Sequence, residues 1–271
     1  MRTYRFLPGL IVSACLAAAL YCAEVQAGIT IEGPLTHEKQ AQPGETYAGT
    51  IKIRNTDTTA VEVKVYQTDY MFSADGRNDF GSPGQLPRSN ATWTRLGQEQ
   101  IAIPGGSVAN VHYEVKAPND AKLSGSYWSV VMVEPLAAKE QSHSDPKKAT
   151  VQISQVVRYA IQLVTDIGEP GGKNLAFSHQ QLLQKDGKRL LTVDAESTGE
   201  QWMSPQFSLE LHDASGRPVK KLDGGKKRLY PGTSVRFEFD LTGLPAGKYH
   251  ALITADGGDD ALFGSELDLM L

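Results

Sequence analysis

The chain has 271 residues, 27 Lys and Arg against 31 Asp and Glu, and a net charge of −4. An acidic balance speaks against nucleic acid as a partner, because no basic excess offsets the phosphate charge. Only two cysteines occur, and aromatic residues make up 8% of the chain. The length suits two domains of ordinary size.

The first 27 residues read as a secretory signal peptide. Arg2 and Arg5 give a positive start, Leu7 to Cys22 form an apolar stretch, and Val25 and Ala27 fit the small-residue rule for cleavage before Gly28. A rival reading takes VSAC, ending at Cys15, as a lipoprotein cleavage box, but the residues that follow stay apolar. Cys15 and Cys22 both fall inside this segment, so the processed chain is expected to hold no disulfide and no cysteine nucleophile. Without Arg2, Arg5 and Glu24 it keeps 25 basic and 30 acidic residues, a net charge of −5. No later run approaches the roughly 18 apolar residues of a membrane-spanning helix.

From there, short alternating segments recur between Gly, Pro, Asn and Asp. In chain order they are TIKIRN (50–55), VEVKVY (61–66), VHYEV (111–115), LLTVDA (190–195), FSLELH (207–212), VRFEFDL (235–241) and YHALITA (249–255). Alternation at period two marks half-buried strands, and helical periodicity is almost absent. The expected fold is all-β, two immunoglobulin-like β-sandwich domains in tandem after the cleaved signal peptide. The stretch TDIGEPGGKN (165–174) marks the boundary, giving domains at 28–166 and 173–271.

The two halves echo each other. Each has a Pro-Gly turn (Pro104-Gly105, Pro231-Gly232), then Ser-Val, then a strand, then Gly-x-Tyr (Gly125 to Tyr127, Gly247 to Tyr249) opening another apolar strand. Tyr127 and Tyr249 are candidates for a tyrosine corner, in which the hydroxyl returns to nearby backbone. The first half also carries FSADGRNDFGSPGQLPRSN (72–90), which reads as a long mobile loop.

Chemistry-bearing motifs are sparse. The six histidines are scattered without metal-ligand spacing, and no nucleophile elbow, P-loop or dinucleotide fingerprint occurs. Two acidic turns, ADGRND (74–79) and ADGGDD (255–260), supply some oxygens for calcium but not the full loop pattern. Asp-Gly is also the ordinary hairpin turn dipeptide. No cofactor, small-molecule substrate or catalysis is expected. A carbohydrate-binding platform would need Trp93 or Trp202 exposed together on one surface.

Two apolar segments stand out. GSYWSVVMVEP (125–135) places Tyr127, Val131 and Val133 on one face and Trp128, Val130 and Met132 on the other, so both faces are expected to be covered. One is the domain core; the other needs the second sheet's rim, the second domain or a guest. After a polar loop comes VQISQVVRYAIQLVTD (151–166), read as one long strand. A long apolar strand at a sheet edge offers free N–H and C=O groups to other chains.

In their order, IKIRN, ATWTRL (91–96), IAIPGG, GSYWSVVMVEP and the polar loop before VQISQVVRYAIQLV make the first domain resemble the N-terminal domain of periplasmic pilus-assembly chaperones. The second domain is similar only in its general sandwich pattern. The resemblance implies a periplasmic protein that lends the strand 151–163 to a pilin-like or other surface subunit, by donor-strand complementation. It implies Val151, Ile153 and Val157 as apolar donors. It assigns Arg158 to grip the subunit's C-terminal carboxylate in the interdomain cleft, where a guanidinium binds bidentately. The family's second anchor, an Arg of the first strand, is missing: no Arg or Lys occurs between Gly28 and Glu38, and Lys39 is the nearest substitute. The alternative is a structural or adhesive cell-envelope protein of ordinary immunoglobulin-like modules.

Overall fold

The computed structural model describes residues 28–136, 156–168, 172–258 and 261–271. The expected signal peptide, Val151, Ile153, Asp259 and Asp260 lie outside them. The described residues form seventeen strands and one short 3₁₀ turn, Ala91–Trp93. None forms a helix long and apolar enough to cross a membrane.

The first sandwich holds ten strands: β1 (Ile29–Glu32), β2 (Thr36–Ala41), β3 (Thr46–Asn55), β4 (Val61–Phe72), β5 (Asn78–Gly81), β6 (Thr94–Leu96), β7 (Gln100–Ile103), β8 (Val108–Lys116), β9 (Gly125–Pro135) and β10 (Tyr159–Ile167). One sheet runs β1-β3-β8-β6; the other runs β2-β10-β9-β4-β5, with β7 also on β4. Alternate residues of the two sheets meet in the middle, among them Ile51, Ile53, Val111 and Val115 against Val63, Val65, Val131, Val133 and Ile161. Each such fully buried side chain contributes on the order of 1.5–3 kcal/mol.

The second sandwich holds β11 (Leu175–Lys185), β12 (Lys188–Ser197), β13 (Gln206–Asp213), β14 (Pro218–Lys226), β15 (Ser234–Asp240), β16 (Lys248–Asp256) and β17 (Leu262–Met270). Its sheets are β11-β12-β15 and β14-β13-β16-β17. Phe207 and Phe237 stack across the core with centroids 3.6 Å apart. The echo in the sequence is an echo in space. β8 and β15 follow the two Pro-Gly turns, and β9 and β16 open on the two Gly-x-Tyr motifs.

Three expectations change. The described strand of the 151–166 segment begins only at Tyr159, and Val156–Arg158 are irregular. In the β9–β10 register Val157 would face Pro135, and proline has no N–H to extend the ladder. The insertion 72–90 is an anchored structure. Its first part pairs as β5 with the end of β4, and the buried Asp69 carboxylate accepts the N–H groups of Gly84, Gln85 and Leu86 and the hydroxyl of Ser89. The tyrosine corner forms once. Tyr249 donates its hydroxyl to the Pro245 carbonyl at 3.0 Å, whereas the Tyr127 ring packs on Trp93 and under Arg88.

Candidate partner-binding site

β10 lies between β9, antiparallel, and β2, parallel. The β2 contact begins where the Gln162 N–H donates to the Leu35 carbonyl at 2.8 Å. Backbone groups alternate in direction along a strand, so Ala160 presents its N–H and C=O to the same side as Gln162. Among the described residues no strand lies against that side upstream of Gln162. β2 ends its reach there because the chain turns at Gly33–Leu35 to cross from one sheet to the other.

Val156 is 44% exposed and Val157 half-buried at this open end. Arg158 is exposed and stands 3.9 Å from the Glu134 carboxylate, which also accepts the Tyr66 hydroxyl. Burial, then the hydrogen bond to Glu134, pushes the Tyr66 phenol up. Arg158 and Val157 thus sit together at the start of β10, and Lys39 is exposed on β2 opposite Thr165.

The far end of β10 meets the second sandwich. Trp128 of β9 stacks on Tyr230 at 4.8 Å with the rings 12° apart, and the Tyr230 hydroxyl donates to the Gln162 side chain. On the second face of GSYWSVVMVEP, Trp128 is therefore covered by Tyr230 and Trp202 of the second sandwich together with Tyr70 to Phe72 of β4. Burial pushes the Tyr230 phenol up to about 12. Arg228 lies 4.0 Å over the Trp202 ring and donates to Glu38 of β2 at 2.6 Å. Burial opposes its charge, but Tyr230 and Glu38 hold its pKa above the ordinary value. Trp202 in turn donates its ring N–H to Asp166 of β10 at 3.1 Å.

Beside this junction is a cleft of about 430 Å³ lined by Tyr70, Gln162 and four cations, Arg77, Lys227, Arg228 and Arg236. Three of these already face carboxylates: Arg77 faces Asp75, Arg228 faces Glu38, and Arg236 binds Asp194 through two bonds. Lys227 donates to the Arg236 carbonyl and lies over the Phe237 ring. Arg158 precedes the cleft residue Gln162 by four positions, about 13 Å along a strand. The cleft cations escaped sequence reading; the run KKRLYPG (226–232), basic then aromatic beside a turn, was the available signal.

The other sequence candidates resolve plainly. Asp75 is engaged within its own turn by Ser73 and Arg77, which, with the Arg77 backbone, hold its carboxyl down to about 2. Among the described residues no group of three or more His, Cys, Asp or Glu is placed to hold a metal ion. Trp93 and Trp202 are both half-buried and pack in different places, so they form no common platform.

No family model and no curated protein sequence matches the chain. Solved structures similar to it include chaperones of fimbriae and pili, and also a PapD-like domain of human CEP192. A chain of the chaperone–tip adhesin complex of CFA/I fimbriae biogenesis is 13% identical, with 89% of this chain and 98% of that one covered and a TM-score of 0.49. The Salmonella enterica SafA pilin–SafB chaperone complex gives 11%, 91%, 97% and 0.44. The Pseudomonas aeruginosa CupB2 chaperone gives 13%, 89%, 100% and 0.42.

Proposed function

We propose that the protein is a periplasmic chaperone that holds a pilin-like or other surface subunit by lending it the strand segment 151–163. The observation that carries this reading is the side of β10 upstream of Gln162 that no strand covers among the described residues, next to exposed Val156 and Arg158. Main-chain groups at such an edge give affinity to an added strand, and alternate side chains give it specificity. Val151, Ile153 and Val157 are the apolar donors, and Arg158 is the carboxylate anchor in competition with Glu134.

The test is co-expression with a candidate subunit in the periplasm, followed by co-purification. Ile153→Asp places a charge where an apolar groove expects a methyl group, and capture is expected to drop at least tenfold. Arg158→Ala is expected to weaken capture without abolishing it. Lys227→Ala separates two placements of the subunit's carboxylate: loss there rather than at Arg158 moves the grip into the cleft. Capture unchanged by both Ile153→Asp and Arg158→Ala would leave the structural-module reading in its place.

A further inference from the structure

The last strands of the two sandwiches occupy equivalent places. β10 flanks β9 on the side away from β4, and β17 flanks β16 on the side away from β13. In the first sandwich β2 closes the outer side of that last strand from Gln162 onward. In the second, β17 ends its sheet, with no counterpart of β2 among the described residues.

Sheet proteins blunt open edges with prolines, lysines, bulges or short strands. The opposite edge, β14, starts at Pro218, carries Lys220 and Lys221, and breaks register twice with β13. β11, an edge of the facing sheet, breaks register between Ser178 and Gln181. β17 has no Pro, Lys or bulge: it holds nine residues in an unbroken register with β16, and its only charges are Glu266 and Asp268. Reciprocal bonds between Gly247 and Leu271 fix which of its groups point inward. By alternation, the N–H and C=O of Leu262, Gly264, Glu266, Asp268 and Met270 point to the open side. Leu262 and Met270, 68% and 62% exposed, are the most exposed large hydrophobics among the described residues.

We propose that β17 is a self-association edge, to which a second copy of this chain adds its own β17 in antiparallel. With a two-fold axis at Glu266, Leu262 of each copy faces Met270 of the other, and Gly264 faces Asp268. The five facing pairs make about ten hydrogen bonds. A second copy is the fitting occupant because the strand complements itself in this register, covering both apolar ends at once. Glu266 then faces Glu266, which weakens the contact. His250 stands 3.6 Å from Glu266 and 3.1 Å from Asp268, and supplies a cation to each side when protonated. One strand pair buries less than a stable interface needs, so the dimer is weak and forms at high protein concentration.

Sedimentation equilibrium of the purified protein over a concentration series tests this. The expected result is a reversible dimer. Gly264→Pro abolishes it while leaving the thermal midpoint of the monomer nearly unchanged, because that N–H points outward and an added Cβ meets only the Ile253 carbonyl at 3.7 Å. Glu266→Gln moves the midpoint to a concentration about two- to fivefold lower. Should Gly264→Pro misfold, the double substitution of Leu262 and Met270 to Lys gives the same readout without touching the backbone. A chain monomeric throughout, with Glu266→Gln monomeric too, overturns the proposal. So does a dimer that survives the edge substitutions, since it uses another surface.

Discussion

Gly125 shows how one residue can carry two demands. Its φ is +77°, and a Cβ there would lie 2.2 Å from the Glu200 carbonyl oxygen of the second sandwich. The next N–H, of Ser126, donates to that same carbonyl at 2.8 Å. Backbone meets backbone at this spot, so nothing larger than hydrogen fits. Gly125→Ala is expected to cost at least about 2 kcal/mol, from left-handed strain and displaced backbone together, and to lower the unfolding temperature by several degrees. Differential scanning calorimetry reads this directly. The Gly-x-Tyr motif around it was legible, yet its two copies differ in use. Tyr249 has the Pro245 carbonyl within reach, whereas Tyr127 is held by the Trp93 ring and the Arg88 guanidinium. Such partners are fixed by tertiary packing, which spacing along the chain does not encode.

At the scale of elements, alternation and pairing explain what could be read in advance. TIKIRN, VEVKVY, VHYEV, FSLELH and YHALITA all lie inside strands with one face buried, whereas LLTVDA, expected to be half-buried, is buried on both faces of β12. VRFEFDL overlaps β15, with its last residue just beyond the strand. β2, with the sequence THEKQA, was not legible because its residues are mostly polar and it is held by backbone pairing to β10. The segment 82–90 reads as a mobile loop for a related reason: one carboxylate orders it, and Asp69 lies in a stretch that reads only as strand. Asp69→Ala removes the acceptor for three backbone N–H groups and is expected to cost about 2–3 kcal/mol. Hydrogen exchange should rise at Gly84, Gln85 and Leu86 while β8 and β12 keep their protection.

Across the whole molecule, the two sandwiches are fastened by a few large side chains. Tyr230 is fully buried, stacks on Trp128, approaches Phe72 edge-on and reaches Gln162. Tyr230→Ala is expected to cost about 3–5 kcal/mol and to split unfolding into two transitions, one for each sandwich. Tyr230→Phe keeps the stack, loses only the hydroxyl bond, and should cost about 0.5–1.5 kcal/mol in a single transition. The apolar second face of GSYWSVVMVEP announced that something covers it; the Tyr230 ring stacked on Trp128 lies about a hundred residues downstream and could not be named from the segment itself.

The pairing of β2 with β10 also sets an order of events. Thr36 to Ala41 belong to the opening of the first sandwich, but their partners are Gln162 to Ile167, at its close. The sheet that contains them cannot be completed until nearly the entire first domain has been made and gathered. Contacts of such long sequence separation form slowly, since the loop must close before any bond rewards it. Until then the upstream half of the chain carries an unfinished sheet, with the groups of Thr36 to Ala41 waiting for a partner made more than a hundred residues later.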